Sequence, residues 1–450
     1  MKIFIGIFFL TFTLFSNSQI NIKEAWHKVE TQNNALKASR ADIRHSELKQ
    51  QSAEGMYLPS VSITGSYTHL NDPIGMDISD ISDTVNPILQ SIGGKGLPSE
   101  IDFLDQDILL VDLQVLYPLY MGGKIDAAQD AYAAKVAEAK AKQRMAEDKA
   151  FLQLVKLYYG LIMTESLYQT RAEAEKALKI HYTFAQKMKI QGQISTAELL
   201  NAKVKYDSAK IETTKARHKV DIVKSAFYQM IKAKQEPHSS LFISQKIGSR
   251  YKYTNESINH HAAIDVLNAK SRQSSALINI EKAAWQPKVL GYANVNLHKG
   301  DSMMEELAPA WMVGVGVKFD IFSRKDRAKE VEAAKVLHAK VASLKAQATE
   351  DLKIAVQKTY DELSLYRDEF NALSSSLALA KENYKLRNLA FKEGLSTSLE
   401  VVEAQTFLIA AKTQRLNAAY NYVKKLAELS VLSGDKNLFF TFEKSSKRIK

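Results

Sequence analysis

Glu400 and Glu403 stand three residues apart in a strongly helical run, so their carboxylates share one helix face. Such a pair attracts cations and repels anions. It belongs to a short motif that the chain carries twice: Gly192, Ser195, Glu198 and Ala202 recur 202 residues later as Gly394, Thr397, Glu400 and Ala404. Each glycine is suited to end a helix in left-handed geometry. Ser195-x-x-Glu198 and Thr397-x-x-Glu400 read as capping boxes that open the next helix. Capping accounts for Glu198 and Glu400. It does not account for Glu403, whose counterpart is Asn201. No nucleophile–base constellation or phosphate loop accompanies these residues. The ten histidines show no metal spacing, and His260-His261 reads as surface. The expectation is a protein that is not an enzyme and needs no cofactor.

The elements that position the motif are duplicated too. Tyr117-Pro118-Leu119-Tyr120 recurs at the same offset as Phe319-Asp320-Ile321-Phe322. Leu58-Pro59-Ser60-Val61 recurs as Gln286-Pro287-Lys288-Val289, but 228 residues on, so the first half holds a loop 26 residues longer. This divides the chain into a first structural repeat, 19–256, and a second, 257–450. Long helices are expected over 124–191 and 324–393, each followed by a second helix, over 195–232 and 397–432. Prolines are absent from all four. At ~1.5 Å per residue each long run would reach roughly 100 Å. Ala334, Leu337, Val341, Leu344 and Ala348, then Leu352, Val356 and Tyr360, then Leu363, Tyr366, Phe370, Leu373, Leu377, Ala380 and Tyr384 step by threes and fours. This is a narrow coiled-coil seam, suited to helices that touch neighbours on two sides.

Four strands are expected at about 59–70, 108–119, 288–298 and 311–321. Val61, Ile63, Gly65 and Tyr67 alternate with Ser and Thr, and Val313, Val315, Val317 and Phe319 alternate with glycine and polar residues. Period two over about 10 residues, apolar on one face only, is the transmembrane β-barrel pattern. Tyr57, Tyr117, Tyr120, Trp285, Phe319 and Phe322 all fall at strand–helix ends, where an aromatic girdle would meet one membrane interface. Closed barrels need about eight strands or more, and an open edge in lipid leaves backbone groups unsatisfied. The chain must therefore take strands from copies of itself: two copies give eight, three give twelve. Loops at about 71–107 and 299–310 are then expected outside the cell. A soluble coiled-coil adaptor or scaffold of the periplasm is the reading of another class.

Lys2, the apolar run Ile3–Phe15 and Ser16-Asn17-Ser18 read as a signal peptide over 1–18, too short to span a bilayer. Cysteine is absent, which excludes disulfides, thiolate metal sites and a lipidated cysteine. The net charge of +11 is scattered among Glu and Asp along helices. It reads as solvated surface, not as a nucleic-acid interface.

The Leu58-Pro59 strand start, the strand end Tyr117-Pro118-Leu119-Tyr120-Met121-Gly122-Gly123-Lys124, and the two tips Gly192–Leu199 and Gly394–Ala404 together resemble the TolC-like outer membrane factors. The resemblance covers essentially the whole chain after the signal segment. It implies a membrane α+β fold: a homotrimer whose twelve strands, four per chain, form one transmembrane β-barrel continuous with a long periplasmic α-helical barrel. It also implies an equatorial segment at about 233–256 plus 433–450. The tips would meet a periplasmic adaptor protein, which couples the duct to an inner-membrane transporter. The implied function is the outer-membrane channel of a tripartite efflux pump, passively exporting small molecules; a type I protein-secretion duct is the alternative. Glu400 and Glu403 fall at the acidic ring that lines the periplasmic aperture, six carboxylates in a trimer, whose crowding would raise some of their pKa values. Phe391 falls where an aromatic joins the closed-state contacts. Ser396 replaces an arginine that ties the aperture shut in some members, which leaves the closing interaction here open.

Overall fold

The structure, a computed structural model, describes residues 19–244, 247–298 and 303–449. The expected signal peptide and residues 299–302 of the second loop lie outside the described residues. In chain order the elements are α1 (Ile22–Gln32), α2 (Asn34–Glu54), β1 (Ser60–His69), β2 (Ile74–Asp77), α3 (Ser79–Ser91), β3 (Glu100–Leu104), β4 (Asp107–Tyr120), α4 (Lys124–Ile190), α5 (Thr196–Ile231) and β5 (Phe242–Ile243). Then follow α6 (Arg250–His260), α7 (Ala262–Lys282), β6 (Lys288–His298), α8 (Met303–Leu307), β7 (Trp311–Lys318), α9 (Arg327–Lys392), α10 (Ser398–Leu432), α11 (Asn437–Ser445) and β8 (Lys447–Arg448).

The two long helices, α4 and α9, run 67 and 66 residues without a proline. The single glycine in α4, Gly160, makes room: a Cβ there would lie 3.3 Å from the Tyr420 hydroxyl of α10, which donates to the Lys156 carbonyl at 3.1 Å. Helix α9 starts at Arg327, three residues later than the sequence suggests. Asp326 is the reason, because its carboxylate accepts the Ala328 and Lys329 amides as an N-cap. His261, expected at the surface, is half-buried and does similar work for α7, its Nδ1 accepting the Ala263 amide at 3.2 Å.

The chain divides into two compact units, and neither is one of the sequence repeats; each draws on both halves. One unit, His45–Val136 with Ala269–Ala342, is built on a four-stranded antiparallel sheet of order β1-β4-β6-β7. Its register aligns apolar residues across all four strands. Ile63 faces Leu113, Leu113 faces Val295, and Val289 faces Val317. Polar residues align on the other face, as in Thr64 opposite Asp112 and Gln114 opposite Asn294. Both faces are open: Ile63 on the apolar face is 68% exposed, and Thr64 on the polar face is exposed as well. Strands β1 and β7 are unpaired edges. The register slips between Pro118 and Tyr120, where proline cannot donate to the ladder. Strand β7 stops at Lys318, short of the expected 321.

The loop expected at 71–107 is structured. It holds the β2–β3 hairpin and helix α3, with Pro87 inside the helix. The Asn86 side chain clasps the backbone of Leu97, which fixes the return of the chain.

The other unit contains Ala137–Asn268, Ser343–Lys450 and the chain up to Arg44. Its core is an aromatic knot in which Phe151, Tyr159, Phe242 and Phe439 meet edge to face, with centroids 5.6–6.1 Å apart. The buried hydroxyls are satisfied: Tyr158 donates to the Ile20 carbonyl at 2.9 Å and Tyr159 to Glu443 at 3.1 Å. Strand β5 pairs with β8, so the segment after α5 and the C-terminal segment meet in one belt around this knot. Among the described residues no helix is long and apolar enough to cross a membrane.

Candidate functional site

The tips lie in the second of these units, and each is assembled from local rules. Helix α4 ends in a Schellman turn: the Gln193 amide reaches the Met188 carbonyl at 2.9 Å and the Gly192 amide reaches Lys189 at 3.0 Å. Helix α9 ends identically, Leu395 to Ala390 at 2.8 Å and Gly394 to Phe391 at 3.1 Å. Both glycines have positive φ, 72° and 75°. Each turn leads into a closed capping box. The Glu198 amide donates to Ser195 Oγ and the Ser195 amide to Glu198 Oε2, both at 3.1 Å. The Glu400 amide donates to Thr397 Oγ1 at 3.3 Å and the Thr397 amide to Glu400 Oε2 at 2.9 Å.

The second tip then departs from the first. Ser396 Oγ donates to Glu400 Oε2, and Arg387 on α9 donates through Nη1 to Glu400 Oε1 at 3.1 Å. The repeat counterparts of Ser396 and Arg387 are Ile194 and Ala185, which cannot make these bonds. Glu400 thus closes the box and binds a cation of its own chain. Hydrogen bonds from Ser396 and the Thr397 backbone, aided by Arg387, hold its carboxyl below the usual range. Crowding was expected to raise such values; within the chain the balance runs the other way for Glu400. Glu403, one turn further on, is exposed.

Phe391 lies inside the tip, 2% exposed, packed with Ala185, Met188, Ala202 and Val401. Its ring sits 4.5 Å from that of His181, a residue the sequence did not single out. His181 is 4% exposed on α4. It shares a hydrogen bond of 2.8 Å through Nε2 with Ser398, the first residue of α10, while its Nδ1 is buried without a partner among the described residues. Burial pushes its pKa down to about 4. The contact joins the long helix of the first half to the tip of the second. No spacing signals it, since the residues are 217 positions apart. Arg387 was not singled out either, although a signal existed: its repeat counterpart is Ala185.

The aromatics expected at a membrane interface are exposed at one end of the sheet: Tyr57 and Trp285 just before β1 and β6, Tyr117 and Tyr120 at the end of β4, Phe319 and Phe322 just after β7. Tyr57 donates to Asp126 at 2.7 Å, and the Arg327 guanidinium lies 5.5 Å over Trp285. Among the described residues no cluster of histidine and carboxylate side chains could hold a metal ion.

Comparison with known proteins agrees with this architecture. The sequence pattern of the outer membrane efflux protein family matches residues 25–231 and 254–435. A search of curated sequences gave no match. Among solved structures the chain is similar to the outer membrane protein VceC of Vibrio cholerae, with 15% identity, a TM-score of 0.72, and coverage of 92% of this chain and 96% of that one. It is similar to the CmeC outer membrane channel of Campylobacter jejuni, with 14% identity, a TM-score of 0.73, and 96% and 90% coverage. It is also similar to the open state of the Neisseria gonorrhoeae MtrE outer membrane channel, with 15% identity, a TM-score of 0.73, and 92% and 89% coverage. With the duplicated tips and the open amphipathic sheet already in view, the family match places the chain in the outer membrane efflux protein family, as an outer-membrane channel protein.

Proposed function

We propose that the chain is the exit duct of a tripartite efflux pump: a homotrimer whose twelve strands close one barrel in the outer membrane and whose helices carry small molecules passively from the periplasm. The observation that carries this is the sheet. Its apolar residues align across four strands, both faces are exposed, and β1 and β7 are open edges. Such a sheet needs lipid on one side, water on the other, and a neighbour's strand at each edge. The antiparallel order lets β7 of one copy meet β1 of the next. Energy would come from an inner-membrane transporter through a periplasmic adaptor that engages the tips.

Under this reading the tips form the gate. Arg387 and Ser396 occupy Glu400 within its own chain, which leaves Glu403 to line the aperture and set its cation preference. Phe391 stiffens the tip from beneath instead of presenting its ring to the opening. Reconstitution in planar bilayers tests the function: discrete, cation-preferring conductance steps are expected. Protein that gives no conductance, or that partitions as a soluble scaffold without detergent, contradicts it.

A further inference from the structure

Arg415 on α10 is a cation without a counter-charge among the described residues. Its guanidinium carbon lies 4.2 Å from the centroid of the Phe370 ring on α9. The ring covers one face of the cation, so its hydrogen bonds must lie in its own plane. There Nε is shielded from solvent and has no hydrogen-bond partner among the described residues. The nearby carboxylate, Glu173 on α4, is bonded to Lys412 at 2.7 Å. These side chains, with Lys381 and Leu416, line a cleft of about 400 Å³. Among the described residues, three cations thus share the cleft with one carboxylate that is already engaged. Burial depresses the Arg415 pKa, the mark of a charge that has lost water and gained no anion.

The fold does not require the arginine. The internal repeat puts Thr213 at the equivalent place in α5, where its hydroxyl bonds the Ala209 carbonyl of its own helix. The terminal Nη1–Nη2 edge of a planar guanidinium matches a carboxylate bidentately, as a lysine would not.

We propose that this cleft is a carboxylate-binding site. Arg415 takes the group through its terminal Nη1–Nη2 edge, Lys381 adds a second charge, and Phe370 and Leu416 receive the apolar carbon that bears it. The same chemistry is offered by a free small carboxylate and by a glutamate on a partner's helix.

Titration calorimetry on the purified full chain in non-ionic detergent separates these sources. The probes are butyrate, inorganic phosphate, and a helical peptide with one glutamate beside its glutamine twin. Saturable binding of butyrate is expected, weakened at least about tenfold by Arg415→Gln, the loss of a charge-assisted hydrogen bond. Arg415→Lys, which keeps the charge but not the fork, should also weaken it. Lys381→Gln, at an exposed position, should weaken it without touching the Arg415–Phe370 stack. Peptide binding that needs the glutamate assigns the site to a protein partner; butyrate binding with a silent peptide assigns it to a free carboxylate. No binding by either, equal binding in Arg415→Gln, or phosphate binding tighter than butyrate overturns the proposal. Conductance of the same preparation reports separately on the channel, so the two readings fail independently.

Discussion

Arg387 on α9 donates to Glu400 on α10 at 3.1 Å across the second tip, whereas the repeat puts Ala185 where the first tip would need the same cation. The duplicated hairpins are therefore not equivalent: one is held by capping alone, the other by capping and a charge strap. In a gate built from both, the second is the element whose state salt and charge can change.

Arg387→Ala should loosen the second tip while leaving the capping box intact. We expect more frequent opening in single-channel records and little change in global melting, because an exposed ion pair contributes little to stability. Glu400→Gln should open further, since it removes the strap and weakens the cap together. Glu198→Gln, which weakens a cap without a strap, is the control. Opening rates identical in all three variants would remove the strap from the gate.

Glu403 is the carboxylate that neither capping nor an ion pair explains. Replacing Glu400 and Glu403 together by Gln should reduce cation selectivity and divalent-cation block, with assembly unchanged. Reversal potentials under a salt gradient measure this. Wild-type selectivity in the double variant would place these side chains away from the conduction path.

His181 should make the stability of the tip pH-dependent. Folded, it titrates near 4; unfolded, near the ordinary 6.5. The unfolded state therefore binds more protons between these values, and stability rises with pH through that window. The contribution is fully present above about pH 6.5 and is lost as pH falls towards 4, by up to about 3 kcal/mol. The ring's contacts, Phe391 on α9 and Ser398 on α10, carry no charge to offset this. Hydrogen exchange at 181–190 and 394–402, corrected for intrinsic rates, should accelerate on acidification. His181→Leu should flatten that dependence at a lower baseline, because Ser398 loses its partner. An equally steep dependence in the variant would assign it to another group.

Gly192→Ala and Gly394→Ala isolate the cost of left-handed backbone. Nothing lies within 4 Å of the Cβ that either substitution would add, so the penalty is conformational, about 1 kcal/mol each. Faster exchange at the Gln193 and Leu395 amides, with unchanged packing of Phe391, is the expected signature.

What the sequence revealed follows from how local each feature is. The Schellman turns at Gly192 and Gly394, the capping boxes and the alternation of Val313, Val315 and Val317 depend on residues a few positions apart, and all were legible. Phe391 was not: its burial depends on α4, α5 and α10 meeting around it, and only the resemblance, which suggested an aperture contact, spoke for it. The His181–Ser398 bond and the Arg415–Phe370 stack likewise need knowledge of which helices pair. Helix α3 was hidden by Pro87, which read as a loop residue because the Asn86 clasp that stabilises the turn back to Leu97 has no sequence signature.

The claim on which the rest depends is that four open strands per chain close only with copies. Native mass spectrometry of the protein released from detergent micelles tests it directly. The account predicts particles of three chains that fall apart only on strong heating. A single chain per particle, or two, would contradict the twelve-stranded barrel and the gate built upon it.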